Sequence, residues 1–462
     1  MYNRAKTYVL AILIIIAICQ MVELWFDDYS SRNFFYSVIT NIFTKNNTDV
    51  NYKYQLEPIM LVVSFGKQYT VLKDTDEVTK NFDAELKRIF NFINTEDLDI
   101  TEETINMKEF LDNQAVLYQY PVQLSSIKSL NNDYDENNKN IKLIGEFSKI
   151  ILQPSILGDG SVICFFIDEH NKTMKKVKVE YNSKTIADDI NFIQYKTVFK
   201  KYSVPEYVGL KNFSDINFLP EFLKSDIYTK LNVIMKNPFK TNDVIDDKKV
   251  EEYVNSFFEN PSAKWRSEKQ NGITVYSDGE KSVRFSDAGL MEYTNSKFSE
   301  KYAYLSFEAA YQLAMAFIEK DNKYIYPDLY LVNAKRNSDS EWKLSFEFKT
   351  DDYRYVMANN LEKDIILKYP VEVIVKNNRV HSYKRLIREY GLSPTFEKIR
   401  LKRYNKVIDD KLKENKNIII KNMFLSYYSE DLEQNPKLVW IIETADNVYP
   451  IDAIDNDEEK WS

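Results

Sequence analysis

Hydrophobic positions form their longest uninterrupted run near the start of the chain. No charged residue lies between Lys6 and Glu23, and the apolar character continues to Phe26. Roughly 20 residues at about 1.5 Å rise per residue give a length of about 30 Å, enough to cross the hydrocarbon core of a bilayer. The pattern therefore predicts a transmembrane helix at residues 7–26.

The charges that flank this run predict its orientation. Arg4 and Lys6 precede it, whereas Glu23 and Asp27 stand at its other end. Lys and Arg are retained on the cytoplasmic side of a membrane. We therefore expect residues 1–6 to be a cytoplasmic tail of a single-pass cell-membrane protein, with the rest of the chain outside the cytoplasm.

Two alternatives share this pattern. A cleaved signal peptide also has a basic start and an apolar centre, and Ala17-Ile18-Cys19 is a weak cleavage site that would leave Gln20 at the new N-terminus. A buried helix of a soluble protein is the other alternative, and the sharp charge boundary at each end disfavours it. A lipoprotein signal is disfavoured because Ile18, the residue before Cys19, is not small.

Polar residues inside the run suggest a contact surface within the bilayer. Leu13, Ile16, Gln20 and Glu23 follow one another at spacings of three, four and three, which places them on one face of a helix. A side-chain amide in lipid is unfavourable unless it finds a hydrogen-bond partner. We predict that these four residues contact the transmembrane helices of a partner. The alternative is that Gln20 and Glu23 only meet head groups and water.

Beyond the anchor, the pattern indicates a linker at residues 27–53 and an α+β domain at residues 54–241. Apolar residues at helical spacing from Val78 to Ile93 predict an amphipathic helix that Thr75 or Asp76 would cap. A second, shorter helix is predicted from Glu102 to Asp112. The predicted strands are Pro58–Gly66, Tyr69–Leu72, Ala115–Tyr120 ending at Pro121, Phe147–Leu152, and a hairpin of Val162–Ile167 with Val177–Tyr181.

The second half is expected to hold a middle module at residues 242–390 and a C-terminal module at residues 391–462. The clearest signal is a meander of three strands within Gly272–Tyr293, with Asp and Gly at its turns. Helices are predicted from Asp243 to Pro261, from Ser306 to about Lys320 and from about Phe396 to Lys413. Further strands are predicted at Tyr330–Asn333, Trp342–Phe348, Val371–Val375, Arg379–Tyr383, Met423–Tyr428, Leu438–Glu443 and Val448–Ile451.

Two tryptophans suggest a duplication. Trp342 and Trp440 stand at matching places in two units that each run from a helix into strands. We interpret the C-terminal part as a duplicated α+β module, with chance similarity of aromatic-rich strands as the alternative. The overall fold class is then multi-domain α+β with antiparallel sheets, consistent with 33 Tyr and 28 Phe among 462 residues.

The net charge indicates which partners to expect, and the cysteines indicate the cellular location. A formal net charge of −8 argues against nucleic acid as a partner. The only cysteines, Cys19 in the anchor and Cys164 in an apolar run, are not placed to pair. An exported protein without disulfides fits the surface of a Gram-positive bacterium.

The sequence contains no known motif of catalytic or metal-binding residues. The only histidines are His170 and His381, so neither a zinc site nor a histidine-dependent triad has its clustered residues. No nucleophile elbow, phosphate-binding glycine loop or zinc-protease helix motif occurs. Carboxylate pairs are expected by chance among 70 acidic residues, and Asp455–Glu459 lacks the alternation of a calcium loop. We predict no catalytic residue, metal or cofactor, and therefore a protein that is not an enzyme.

Three short motifs lie within Val250–Asn295. They are Phe257-Phe258-Glu259-Asn260-Pro261-Ser262, the run Gly272–Gly279, and the run Gly289–Asn295. Together they resemble the YycH family of membrane-anchored extracytoplasmic regulators. Ser64–Thr70 after the first strand agrees with the family. The closing strands around Leu425 and Trp440 look like the module that this family shares with its YycI relatives.

The resemblance implies a function that the residues themselves do not encode. It implies a non-enzymatic regulator of the WalK (YycG) sensor histidine kinase, which governs cell-wall metabolism, acting through transmembrane and outer-domain contacts. The implied partners are a WalK-like kinase and a YycI-like protein. The alternative is a wall-associated enzyme or scaffold.

Overall fold

The computed structural model describes residues 54, 56–72, 76–130, 138–155, 159–195, 199–222, 227–297, 304–321, 329–350, 353–358, 365–432 and 434–455. The predicted transmembrane helix at 7–26 and its flanks at 1–6 and 27–53 lie outside this part of the chain. Among the helices it contains, none is both long enough and apolar enough to cross a bilayer.

Seven α-helices lie within the described ranges, together with four short 3₁₀ helices. The α-helices are α1 (Glu77–Thr95), α2 (Met107–Asp112), α3 (Lys139–Ile144), α4 (Lys184–Tyr195), α5 (Asp247–Val254), α6 (Phe307–Lys320) and α7 (Tyr404–Glu414). The 3₁₀ helices are Ile127–Ser129, Pro205–Val208, Asn255–Phe257 and Pro261–Ala263.

The first half of the chain forms a nine-stranded antiparallel sheet in the order β3-β7-β6-β5-β4-β1-β2-β8-β9. Its strands are β1 (Met60–Phe65), β2 (Tyr69–Leu72), β3 (Ile100–Thr104), β4 (Gln114–Leu124), β5 (Phe147–Pro154), β6 (Val162–Asp168), β7 (Thr173–Val179), β8 (Tyr202–Ser203) and β9 (Leu219–Pro220).

Both faces of this sheet are covered, which explains its nearly continuous apolar strands. Val63, Tyr118 and Cys164 belong to the core on the face that α1 covers. Val62 and Leu117, one position away, belong to a second core on the opposite face. The alternation follows from the period of two in a strand. Helix α1 presents the predicted stripe, with Val78, Phe82, Leu86, Ile89, Phe90 and Ile93 all buried.

The second half of the chain forms a twelve-stranded sheet in the order β13-β14-β15-β16-β21-β20-β18-β19-β23-β24-β25, with β17 also paired to β18. Its strands are β13 (Trp265–Arg266), β14 (Ile273–Ser277), β15 (Lys281–Ser286), β16 (Leu290–Asn295), β17 (Leu329–Ser338), β18 (Glu341–Thr350), β19 (Tyr353–Met357), β20 (Val371–Lys376), β21 (Arg379–Leu386), β23 (Asn422–Ser429), β24 (Lys437–Glu443) and β25 (Val448–Asp452).

Two short ribbons complete the strand pairing. Strand β10 (Tyr228–Lys236) pairs with β22 (Glu389–Ile399), and β11 (Lys240–Thr241) pairs with β12 (Val244–Ile245). In the large sheet, β19 and β23 run parallel and join the residues of the predicted middle and C-terminal modules. The predicted boundaries at residues 241 and 390 remain predictions.

Most predicted elements are present, including the meander, in which β14 pairs with β15 and β15 with β16.

The predicted end of a strand at Pro121 is wrong, because β4 continues to Leu124. The register of β4 against β5 shifts between Gln119 and Leu124. Such an irregularity accommodates a proline, which cannot donate a ladder hydrogen bond.

Three predicted helices begin too early. In the first, Val244 and Ile245 form β12, and α5 begins only at Asp247. In the other two, the predicted start belongs to a longer strand. Glu102 lies in β3 opposite Lys175 of β7, and Glu103 forms a diagonal ion pair with Lys176 at 3.8 Å. Cross-strand pairs of opposite charge stabilise an edge strand of this kind. Similarly, the predicted start of a helix at Phe396 lies in β22, paired to β10, and α7 begins at Tyr404. In both places a distant strand decides the local structure.

Candidate functional site

Helix α6 packs one apolar stripe onto the twelve-stranded sheet. Phe307, Ala310, Tyr311, Ala314 and Ile318 are buried on this side. The helix begins where the side chain of Ser306 accepts a hydrogen bond from the N–H of Ala309 at 3.2 Å, a typical cap. The helix is thereby fixed to the second half of the chain.

A second stripe on α6 contacts the first half of the chain. Glu308, Gln312 and Glu319 are separated by four and seven residues, so they share one helix face. Nε2 of Gln312 donates to the carbonyl oxygen of Tyr54 at 2.6 Å, and the N–H of Tyr54 donates to Oε1 of Gln312 at 3.0 Å. The amide side chain thus satisfies both backbone groups of Tyr54, as a paired strand would.

The same helix face makes two further links. The phenol of Tyr54 donates a hydrogen bond to the carboxylate of Glu319. Oε1 of Glu308 accepts hydrogen bonds from Ser125 at 2.8 Å and from Ser129, which lie just after β4. We call Tyr54, Gln312 and Glu319, with Glu308 and its two serines, the Tyr54 junction.

The phenol of Tyr54 keeps its proton over the physiological pH range. Burial, the hydrogen bond to Glu319 and the charge of that carboxylate all raise the pKa of the Tyr54 phenol above its usual value. The phenol therefore remains a donor at any pH at which the protein is expected to work. Because Tyr54 directly follows residues 27–53, the junction is the place where the preceding chain is attached to the described body.

At the C-terminal end of α6, a buried polar cluster ties the helix to the sheet. Nη1 of Arg385 lies 2.6 Å from Oδ2 of Asp321, the residue after the helix. The phenols of Tyr253 and Tyr383 donate to the same carboxylate at 2.6 and 2.8 Å. Burial raises the pKa of both phenols well above the usual value, so they are neutral donors.

The arginine of this cluster stays charged despite its environment. Burial by itself would lower the pKa of Arg385, yet the charge of the Asp321 carboxylate and its hydrogen bond with the guanidinium raise it well above its ordinary value. The cluster connects α5, α6 and β21 through a single buried carboxylate. It contains no substrate-accessible nucleophile, so its arrangement fits a mechanical connection.

The sequence-predicted contact residues Leu13, Ile16, Gln20 and Glu23 lie outside the described residues. The side chain of His170 is exposed in the turn between β6 and β7, and Nδ1 of His381 lies 2.8 Å from the carbonyl oxygen of Asn295. Within the described ranges, no group of three His, Cys, Asp or Glu side chains could hold a metal ion.

Sequence reasoning missed the Tyr54 junction. The polar stripe on α6 was visible as Glu308, Gln312 and Glu319 within an otherwise apolar helix. Gln312 is nonetheless 258 residues from Tyr54 along the chain. A spacing pattern indicates which residues share a face, but it does not name a partner at that distance.

Comparisons with known proteins concern the fold alone. No protein-family model matches the chain, and no curated protein matches it in sequence. Its structure is similar to the crystal structure of YycH from Bacillus subtilis, with a TM-score of 0.54 and 12% sequence identity. The match covers 88% of this chain and 98% of that chain. The chain has a YycH-like fold.

This YycH-like fold confirms the resemblance read from Val250–Asn295. It also confirms the coarser fold class, a mixed α+β structure with antiparallel sheets and few helices. The match spans nearly the whole of the compared YycH chain, so it includes both large sheets rather than one module.

Proposed function

We propose that this protein is a non-enzymatic, membrane-anchored regulator of a WalK (YycG)-like sensor histidine kinase that controls cell-wall metabolism in a Gram-positive bacterium. The YycH-like fold carries this proposal. According to this proposal, residues 7–26 form the anchor, residues 1–6 are cytoplasmic, and the body lies outside the cell membrane. A YycI-like protein is a further partner.

The signal passes through the anchor. The stripe of Leu13, Ile16, Gln20 and Glu23 packs against transmembrane helices of the kinase, and the body sets how tightly it packs. The Tyr54 junction supports this mechanism because α6 holds the backbone of Tyr54 with two hydrogen bonds. A displacement of α6 therefore pulls on the chain that leads to the anchor.

A duplicated module belongs to the same proposal. The indole N–H of Trp342 in β18 donates to the carbonyl oxygen of Leu305 at 2.9 Å, and that of Trp440 in β24 donates to the carbonyl oxygen of Lys402 at 2.9 Å. Each acceptor lies two residues before the first residue of a helix, α6 or α7. Each tryptophan stands in the second strand after that helix. This equivalence supports duplication over chance similarity.

The anchor mechanism is tested by a double variant, Gln20→Leu with Glu23→Leu. We expect weaker co-purification of the kinase from membranes and altered expression of kinase-controlled wall genes, with normal membrane insertion. The matched control is Ile18→Leu with Val22→Leu on the opposite helix face, which should change neither. If the control pair impairs signalling and the polar pair does not, the stripe is wrongly assigned.

The junction is tested separately. Gln312→Leu removes both hydrogen bonds to the Tyr54 backbone, so the amide of Tyr54 should exchange its proton faster and kinase output should shift. Gln434→Leu is the control, because Nε2 of this exposed glutamine donates to Asp431, three residues away, at 3.1 Å.

A further variant tests the anchor mechanism as a whole. A scrambled apolar anchor that signals normally with the native body would refute the transmembrane mechanism.

A further inference from the structure

Strand β22 has one paired edge and one edge on which pairing has only begun. Along one side it pairs with β10, from Tyr228 opposite Ile399 to Lys236 opposite Glu389. Within the described part of the chain, no other strand pairs with β22. A strand edge with unpaired backbone groups is a ready template for another strand.

The end of the described chain runs beside the continuation of β22. Leu401 and Ile454 form an antiparallel bridge. The N–H of Lys402 donates to the carbonyl oxygen of Ala453 at 2.8 Å, and the N–H of Asp455 donates to that of Arg400 at 2.9 Å. These are the first rungs of an antiparallel ladder, and the next residues along the chain begin the C-terminal tail.

The direction of the ladder fixes which residues come next. In an antiparallel pair, each step forward on one strand is a step backward on the other. If the register of the Leu401–Ile454 bridge continued beyond Asp455, Asn456 would stand opposite Ile399 and Asp457 opposite Lys398. Backbone groups on a strand point to the same edge at every second residue. Since the carbonyl of Arg400 faces the tail, the backbone groups of Lys398 face that edge too.

Charge favours the same occupant. The stretch from Lys398 to Lys406 carries five basic residues and no acidic one, whereas Asp455–Glu459 carries four acidic residues and no basic one. The first of these acids already forms an ion pair, with Oδ1 of Asp455 lying 3.2 Å from Nζ of Lys406. In the extended register, the carboxylate of Asp457 comes next to the ammonium of Lys398, a favourable cross-strand pair.

We propose that the acidic C-terminal tail, beginning with Asn456 and Asp457, adds to the open edge of β22 and turns the β10–β22 ribbon into a three-stranded sheet. Glu458 then stands opposite Glu397, a like-charge pair that limits how far the added strand extends. The tail shields an edge that would otherwise accept an extended acidic segment from another protein.

A disulfide tests the register in the full-length protein in its membrane, in a Cys19→Ala background. In the proposed register, Lys398→Cys with Asp457→Cys brings two cysteines to a Cα separation of about 5.5 Å, which suits a disulfide. We expect oxidation to link them, with the cross-linked peptide found by mass spectrometry. Glu397→Cys with Asp457→Cys is the control, because one step in register places the two side chains on opposite faces.

Hydrogen exchange at single-residue resolution gives a second readout. Deleting residues 456–462 should speed exchange at the amide of Lys398 by about tenfold or more, while the amide of Ile399, which faces β10, keeps its protection. Equal cross-linking of both cysteine pairs, or an unchanged Lys398 amide, would overturn the proposal. So would protection of Lys398 that survives the deletion and rises with protein concentration, since a second copy would then occupy the edge.

Discussion

Arg385 and Asp321 form a fully buried ion pair that joins the end of α6 to β21. Their side chains are 0% and 2% exposed, and Nη1 lies 2.6 Å from Oδ2. Arg385 also donates to the backbone carbonyl of Asp321 at 2.8 Å. Two phenols complete the carboxylate's shell, so the charge is both paired and hydrogen-bonded. A buried charge is tolerated only under these conditions.

The first prediction follows from this pair. Asp321→Asn leaves the guanidinium of Arg385 buried without a counter-charge, and we expect a loss of about 3–5 kcal/mol in the free energy of unfolding. Urea unfolding of the full chain in detergent, followed by tryptophan fluorescence, measures it. The control is Asp97→Asn, which breaks an exposed ion pair with Lys139 and should leave the midpoint unchanged. Equal shifts for both variants would contradict the prediction.

The second prediction concerns two glycines in turns of the meander. Gly279 has a φ of +95° with no neighbouring atom within 4 Å of an added Cβ, so Gly279→Val should cost about 1 kcal/mol from backbone strain alone. Gly289 has a φ of +75°, and an added Cβ would lie 2.4 Å from Nη1 of Arg388 and 3.1 Å from the carbonyl oxygen of Ile387. We expect Gly289→Ala to lower the unfolding midpoint further than Gly279→Val. The reverse order would show that the buried arginine moves freely.

The third prediction is a pH dependence at the start of α5. A hydrogen bond of 2.8 Å from Arg266, aided by the charge of Lys269, holds the pKa of Asp247 below its ordinary 3.8. A lowered folded pKa stabilises the protein above the unfolded value, and this contribution disappears as the pH falls through the folded pKa.

Asp247→Asn should therefore be less stable than the native chain at neutral pH and should match it in strong acid. Half-exposure of the Asp247 side chain screens the interaction, so the difference will be small. Unfolding midpoints at about pH 7 and about pH 2 measure it. A difference that persists unchanged in acid would show that the effect does not depend on the charge of Asp247.

The fourth prediction concerns the thiol of Cys164 in β6. It is fully buried, and burial raises its pKa far above the usual value. The thiolate is the reactive form, so the folded chain in a Cys19→Ala background should resist iodoacetamide at about pH 8 and react after unfolding in urea. Rapid alkylation of the native chain, measured by mass spectrometry, would show that this core opens locally.

Local patterns in the chain predicted the elements whose stability is local. The 3.6-residue stripe of α1 and the Asp-Gly turns of the meander each contain their own reason for their structure. The strand within β4 was found but its end was not, because only pairing with β5 shows that a bulge accommodates Pro121. Likewise Phe396 belongs to a strand because β10 lies beside it.

The sequence by itself determined the α+β class, the order of most elements, the resemblance to YycH and the hydrophobic run at residues 7–26. These depend on periodicity, turn chemistry and residue type, all of which act over a few neighbouring residues. Only the tertiary structure decided that Gln312 holds the backbone of Tyr54 and that Arg385 meets Asp321. Gln312 meets Tyr54 only where the two halves of the chain pack together, and Arg385 meets Asp321 only where α6 packs on the twelve-stranded sheet. Both contacts join residues that are far apart in the sequence, and no local spacing encodes them.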